Sequence, residues 1–144
     1  MNLLGIAHVP PVEVAPTDSV MKAIEVSLPQ RVGAVAVMER GRLVGIFTER
    51  DVMLKIVHER RDPETTMIRD VMTSPVLTVQ ADMSVGDVLR MMLDRHIRHL
   101  PVSEDGKAVQ GMLSIRNVLQ FMVEDLQSNL HYLQNYLTSE AVVR

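Results

Sequence analysis

The sequence predicts an α/β protein made of two copies of one strand-helix-strand-strand-helix unit, followed by an extended C-terminal helix. Three observations predict it. First, Val14, Ser19, Val20, Leu28, Val37 and Gly41 recur 65 positions later as Val79, Ser84, Val85, Leu93, Val102 and Gly106; after one inserted residue, Gly45, Arg50 and Val52 recur as Gly111, Arg116 and Val118. Second, within each copy the apolar spacing alternates between the two-residue period of strands and the three- and four-residue steps of helices. Third, a unit of about 50 to 60 residues is marginal alone, so two copies packing their sheets together is the expected solution.

The first copy begins with a short extended segment, "VEV" at 12–14, and the second with "VLTV" at 76–79. Ser19 and Ser84 are placed to cap the helices that follow, because a side-chain oxygen there accepts a backbone N–H of the first turn. Val20, Ala23, Ile24 and Leu28 form the apolar stripe of the first helix; Val85, Val88, Leu89, Met92 and Leu93 form that of the second. Two strands follow in each copy, "AVAVM" and "LVGIFT", then "HLPVS" and "VQGMLS". The turns "ERGR" and "EDGK" join them, with Gly41 and Gly106 supplying positive φ. A last helix begins at "TERDVMLKIV" and again at "SIRNVLQFMV". The expected boundaries are 1–66 for the first repeat with its N-terminal segment and linker, 67–125 for the second, and 126–144 for a helical extension. Within them "RRDPETTMIRDVMTSP", bounded by Pro63 and Pro75, is the join.

Composition narrows the function. The chain has 144 residues, 47% of them apolar and 23% charged, as in globular proteins. Its net charge of −3 comes from 15 basic and 18 acidic residues with interspersed signs, a poor match to a phosphate backbone. Two Phe, two Tyr and no Trp leave little for base stacking, so no nucleic-acid partner is expected. No apolar run approaches the roughly 18 to 20 residues of a membrane span, and the start "MNLLGIAHVPPVEV" lacks a basic region before a sustained apolar stretch. No membrane association and a cytoplasmic location are therefore the expectation. The absence of Cys excludes disulfides, thiolate zinc sites and a cysteine nucleophile. The eleven Met residues read as adaptable core filler.

The stretch carrying chemistry is "GIFTERD" at 45–51, which returns as "GMLSIRN" at 111–117. Both read Gly, two apolar residues, a hydroxyl, any residue, Arg, then Asp or Asn. The small residue permits close backbone approach, Thr48 or Ser114 can cap the following helix, and free N–H groups there favour an anion. Asp51 or Asn117, one turn on, can accept hydrogen bonds from a vicinal diol such as a ribose. The same residues also suit plain helix capping, and a repeated fold repeats its caps. Weight on the binding side comes from "RHIRHLPV" at 95–102, where Arg98 and His99 precede a strand expected beside the second motif. Their counterparts in the first copy are Gly33 and Ala34, so the two clefts differ in charge.

On these residues the sequence resembles a tandem pair of cystathionine-β-synthase (CBS) domains, a Bateman module. The resemblance runs from about Val12 to Met122 and rests on the doubled Gly-apolar-x-Ser/Thr-x-x-Asp/Asn motif, the "DVMTSPVLTV" entry and the "IRHLPV" strand. It implies a pseudo-twofold pair whose two clefts bind adenosine-containing regulators such as AMP, ADP, ATP, S-adenosylmethionine or NAD-type molecules. By position it implies ribose contacts at Asp51 and Asn117, ribose or phosphate contacts at Thr48 and Ser114, and phosphate contacts at Arg98, His99, Arg50 and Arg116. It further implies that backbone around Thr78 and Val79, or Val14 and Pro16, reads the adenine edge. Asn117 departs from the commoner Asp and loses charge-assisted strength. A homodimer, a further protein partner, a regulatory non-enzymatic role and no required cofactor follow from the same resemblance. The alternative is an interaction or dimerisation scaffold with degenerate clefts.

Two other chemistries fit less well. His96 and His99 invite a metal, yet no Cys or carboxylate sits at a supporting spacing, and residues three apart on a strand point to opposite faces. A Ser-His-Asp hydrolase lacks a nucleophile-elbow sequence. After the second motif, Leu119, Met122, Leu126, Leu130, Leu133 and Leu137 continue an apolar stripe, read either as cover for the chain's own sheets or as a docking helix with a coiled-coil-like seam.

Overall fold

The computed structural model of the chain describes residues 2–143. Its first repeat contains β1 (Glu13–Val14), α1 (Val20–Ser27), β2 (Ala34–Glu39), β3 (Arg42–Thr48) and α2 (Glu49–Asp51), which runs on as a π-helical segment (Val52–Val57). The second contains α3 (Val85–Arg95), β4 (His99–Val102), β5 (Gly111–Ser114) and α4 (Ile115–Val143). Ser19 and Ser84 cap α1 and α3, accepting the N–H groups of Lys22 at 3.0 Å and Asp87 at 3.1 Å.

The first sheet has the order β1-β2-β3, with β1 parallel and β3 antiparallel to β2. Arg40 and Gly41, with φ of 52° and 76°, form the two-residue turn between β2 and β3; both central residues need positive φ to match the twist of the strands. The second hairpin is longer. Val102 pairs with Gly111, and Asp105 shapes the intervening loop by accepting the N–H groups of Lys107 and Ala108.

The expected strand at 76–79 is reduced to one parallel bridge, Val79 with Val102, the counterpart of Val14 with Val37. Pro101 is the reason. In the first repeat the Ala36 N–H donates to the Val12 carbonyl at 2.9 Å and carries the ladder outward. The equivalent position, 65 residues on, is Pro101, which has no N–H to give.

The segments leading into the repeats are exchanged. Leu3–Gly5 and Ile68–Asp70 are matching 3-10 turns, again 65 residues apart. Residues 68–75 run beside β3 of the first repeat, where Thr73 and Ile46 exchange backbone hydrogen bonds of 2.8 and 3.0 Å. Residues 3–10 run beside β5 of the second, where His8 and Met112 do the same at 2.8 and 3.0 Å. Leu3 is fully buried in the second repeat's core and Ile68 in the first's. In space, then, the N-terminal segment, grouped in sequence with the first repeat, packs on the second, and the join is itself a structural strand. Gly45 and Gly111 make room: a Cβ at Gly45 would collide with Met72, and one at Gly111 would lie 3.0 Å from a Val9 methyl.

Each repeat has its own apolar core, and a third cluster of Ala34, Ala36, Ile46 and Met112 joins the two sheets. The tail of α4 does not cover these sheets. Ile115, Phe121 and Met122 pack on the second core, whereas every side chain from Val123 to Glu140 is exposed. The outward stripe therefore passes through Val123, and Met122 turns inward. Among the described residues no helix is long and apolar enough to cross a membrane.

Candidate functional site

The two motif turns begin the last helix of each repeat, and both form the caps expected of them. Thr48 caps α2 by accepting the Asp51 N–H at 3.2 Å, and the Asp51 carboxylate accepts the Thr48 N–H at 3.0 Å, a reciprocal capping box. Ser114 accepts the Asn117 N–H at 3.1 Å and donates its hydroxyl proton to the Asn117 side-chain oxygen.

Beyond the caps the two turns part. Asp51 is 7% exposed, and its carboxylate is already surrounded. It accepts the Thr73 hydroxyl at 3.1 Å and the Thr48 hydroxyl at 3.3 Å, and Lys55 Nζ lies 3.2 Å from Oδ1. Lys55 also donates to the Val71 carbonyl at 2.9 Å. The carboxylate thus ties its own helix to the exchanged segment. In the second repeat, allowing for the inserted residue, Asn117, Phe121 and His8 stand where the first has Asp51, Lys55 and Thr73. Carboxylate and ammonium are lost together, so the second turn is left half-exposed and uncharged. Sequence reasoning missed Lys55 and Thr73; the four-residue spacing of Asp51 and Lys55 was a readable ion-pair signal, whereas Thr73 arrives through tertiary exchange.

Basic groups gather beside the second turn. His99 pairs directly with Ser114 across β4 and β5, and the Arg98 carbonyl accepts the Ile115 N–H at 2.8 Å, fixing Arg98 at the start of α4. From the first repeat, Arg50 reaches over and donates to the His96 carbonyl at 3.5 Å, at the corner between α3 and β4. His96 ends α3 in the left-handed conformation, φ 54°, and so makes that corner. Glu49 also arrives here: a Cβ at Gly33 would lie 2.9 Å from its Oε1 and 3.2 Å from His99 Cε1. Burial lowers the His99 pKa below the ordinary histidine value; Glu49 opposes this shift and the Arg98 charge reinforces it. Arg50 and Arg98 thus bring positive charge to a corner that both repeats build around the Glu49 carboxylate and a His99 ring held toward its neutral form, with Ser114 and Asn117 next to it.

The other sequence candidates sit apart. Arg116 is exposed on α4. Val79 is buried and its backbone is paired: its N–H donates to the Pro101 carbonyl and its carbonyl accepts the Ser103 N–H. The Pro16 carbonyl accepts the Arg69 N–H, and Val14 is paired with Val37 in the sheet. The Val79 and Pro16 carbonyls each hold one backbone partner and keep a second lone pair, and Thr78 lies half-buried beside Val79. An apolar groove of about 220 Å³, walled by Ile24, Leu28, Val32, Phe47 and Val52, opens beside Thr48 and Glu49. Among the described residues no three His, Cys, Asp or Glu side chains converge as metal ligands.

Known proteins match this architecture. The CBS domain family matches twice, over residues 5–58 and 68–124. A mitochondrial CBS domain-containing protein of Arabidopsis thaliana is 34% identical over 125 residues, 83% of this chain and 60% of its own length. The chain spans 65% and 60% of the length of two curated relatives that it matches. A CBS domain crystal structure is 33% identical with a TM-score of 0.78, over 84% of this chain and 94% of that one. A CBS domain pair solved in complex with 5′-methylthioadenosine and S-adenosyl-L-methionine shares the fold, with a TM-score of 0.77 at 22% identity, over 87% of this chain and 98% of that one. With both repeats matched, and with their motif turns, sheets and pseudo-twofold packing in place, the chain belongs to the CBS domain family as a tandem pair.

Proposed function

We propose that this CBS pair senses a phosphorylated adenosine ligand of the AMP, ADP or ATP kind, with the phosphate held between the repeats by Arg50, Arg98 and His99. The observation that carries the reading is that Arg50 of the first repeat reaches the His96–His99 segment of the second, where Arg98 and His99 lie beside the Ser114–Asn117 turn. Guanidinium groups match phosphate oxygens in charge and geometry. Asn117 supplies both an acceptor and a donor for ribose hydroxyls. The Asp51 turn is closed by Lys55 and Thr73, which favours one working cleft over two. A pair of the same fold that holds two adenosine compounds supports the adenosine half of the reading. The cationic corner here favours a phosphate over the sulfonium of S-adenosylmethionine, and the diphosphate of an NAD-type molecule suits it as well. A cytoplasmic setting accords with the absence of Cys.

Because the corner is shared, ligand binding favours whichever arrangement of the repeats brings Arg50 and Arg98 together. A ligand shifts such an equilibrium only by its differential affinity for the two arrangements. The outer helices carry a pseudo-symmetric apolar face, Leu28, Met53 and Val57 on one repeat and Leu93, Leu119 and Val123 on the other, all exposed. That face supports homodimerisation as the readout. It also sustains the competing reading, a scaffold with degenerate clefts, which the internal satisfaction of Asp51 favours.

Thermal shift and calorimetry with AMP, ATP, NADH, S-adenosylmethionine and unphosphorylated adenosine decide between them. AMP or ATP is expected to stabilise the protein, by about 2.7 kcal/mol at a hundredfold excess over Kd. Adenosine should do far less, and Arg50→Ala with Arg98→Ala should remove the response. Equal responses to adenosine and AMP overturn the phosphate assignment, and no response to any at millimolar concentration favours the scaffold.

A further inference from the structure

The apolar face that includes Leu119 and Val123 continues along the tail of α4, well beyond the body of the repeats. Leu119, Val123, Leu126, Leu130, Leu133 and Leu137 follow one another at steps of 4, 3, 4, 3 and 4 residues, and all six are exposed. That is an uninterrupted heptad seam, with Leu119, Leu126 and Leu133 at d and Val123, Leu130 and Leu137 at a. It faces away from the chain's own body, because Ile115, Phe121 and Met122 take up the side of α4 that packs on the second core. From Val123 to Val143 the helix extends about 31 Å at 1.5 Å per residue.

We propose that this seam pairs with the same seam of a second copy of the chain as a short two-helix coiled coil. Three observations single out that occupant. The positions flanking the seam, Gln120, Met122, Gln127, Asn129, Gln134 and Tyr136, carry no charge, so two identical helices meet without the like-charge repulsion that would exclude self-pairing. No Lys or Arg lies between Asn117 and Val143, whereas a helix that rests on a membrane surface has a basic polar face. The seam is also continuous with the apolar face of the body through Leu119 and Val123, so pairing the tails sets second repeat against second repeat.

The chain lacks Cys, so single-cysteine variants of the full chain report contacts without background. Leu130→Cys and Leu133→Cys should cross-link on mild oxidation at least tenfold more than Ser128→Cys, which lies on the outer side of the same helix. Light scattering should give a dimer. Leu126→Glu with Leu133→Glu, which places charges in the seam, should raise its dissociation constant at least about 100-fold. Equal cross-linking at seam and outer positions overturns the proposal. So does an unchanged dissociation constant in the charged variant, the result expected if copies associate only through the body helices. A monomer, or sedimentation of the protein with vesicles of phosphatidylcholine and phosphatidylserine without seam cross-links, overturns it as well. The charged variant should still be stabilised by AMP, and a loss of AMP response in Arg50→Ala with Arg98→Ala should leave the seam cross-links in place, so failure of the seam and failure of the ligand site are read separately.

Discussion

Asp51 is the residue to which the structure adds most. A carboxylate that accepts a backbone N–H and two hydroxyls and faces an ammonium is a structural tie, and its removal leaves partly buried donors without that partner. Asp51→Ala is expected to cost about 2–4 kcal/mol in chemical denaturation. Asp51→Asn combined with Lys55→Phe, which reproduces the second repeat's own pair, should cost less than the sum of its single changes, and a double-mutant cycle measures the difference. His99 makes a second prediction. Its folded-state pKa lies below the ordinary value because burial disfavours the charged ring. The unfolded chain therefore takes up the proton first, so the His99 contribution is fully present above about pH 6.5 and is lost as pH falls from there through the folded pKa. A stability titration from pH 8 to 5 should fall less steeply in His99→Gln. A bound phosphate raises the His99 pKa, so the ligand should bind with proton uptake and more tightly at pH 6 than at pH 8. Calorimetry in buffers of different ionisation enthalpy reads that uptake directly.

At the level of elements, local signals were legible and exchanged ones were not. The doubled motif, the Ser19 and Ser84 caps and the Gly41 turn are written in neighbouring residues, and the structure has them. The loss of a strand at 76–79 was written in Pro101, but its effect depends on the partner strand's register, which spacing within one segment does not reveal. The exchange of 3–10 and 68–75 was hidden because the two segments keep apolar character and a final proline but few identities: Leu3 answers Ile68, and His8 answers Thr73. For the same reason the site was half legible. Thr48, Asp51, Ser114 and Asn117 stood out as a repeated pattern, while the Lys55–Thr73 closure and the reach of Arg50 to His96 come from packing. The exchange makes its own prediction. Leu3→Ala removes a fully buried side chain from the second core, so it should cost about 2–5 kcal/mol. Hydrogen exchange should quicken in β4 and β5 well before β2 and β3, although Leu3 lies at the head of the first repeat in sequence.

The whole molecule is two cores held together by the exchanged segments and by the small cluster of Ala34, Ala36, Ile46 and Met112. Three of those four residues come from the first repeat, so Met112 is the second repeat's share of the cluster, and its backbone also anchors His8. Met112→Ala keeps the backbone pairing and removes the side chain from between the sheets, at an expected cost of about 2–5 kcal/mol. Its effect should exceed stability. With the sheets less tightly coupled, each repeat approaches independent unfolding, and calorimetry should record a broader transition whose van't Hoff enthalpy falls below the calorimetric one. The cationic corner needs Arg50 from one repeat and Arg98 from the other, so weakening the contact between repeats also lowers the population able to hold a phosphate. The apparent Kd rises in proportion to that loss. AMP should therefore bind Met112→Ala more weakly although no phosphate contact has been touched, and saturating AMP should sharpen the broadened transition back toward a single cooperative step. A variant that is destabilised yet binds AMP as tightly as the parent chain would place the ligand within one repeat and remove the basis for sensing through their relative arrangement.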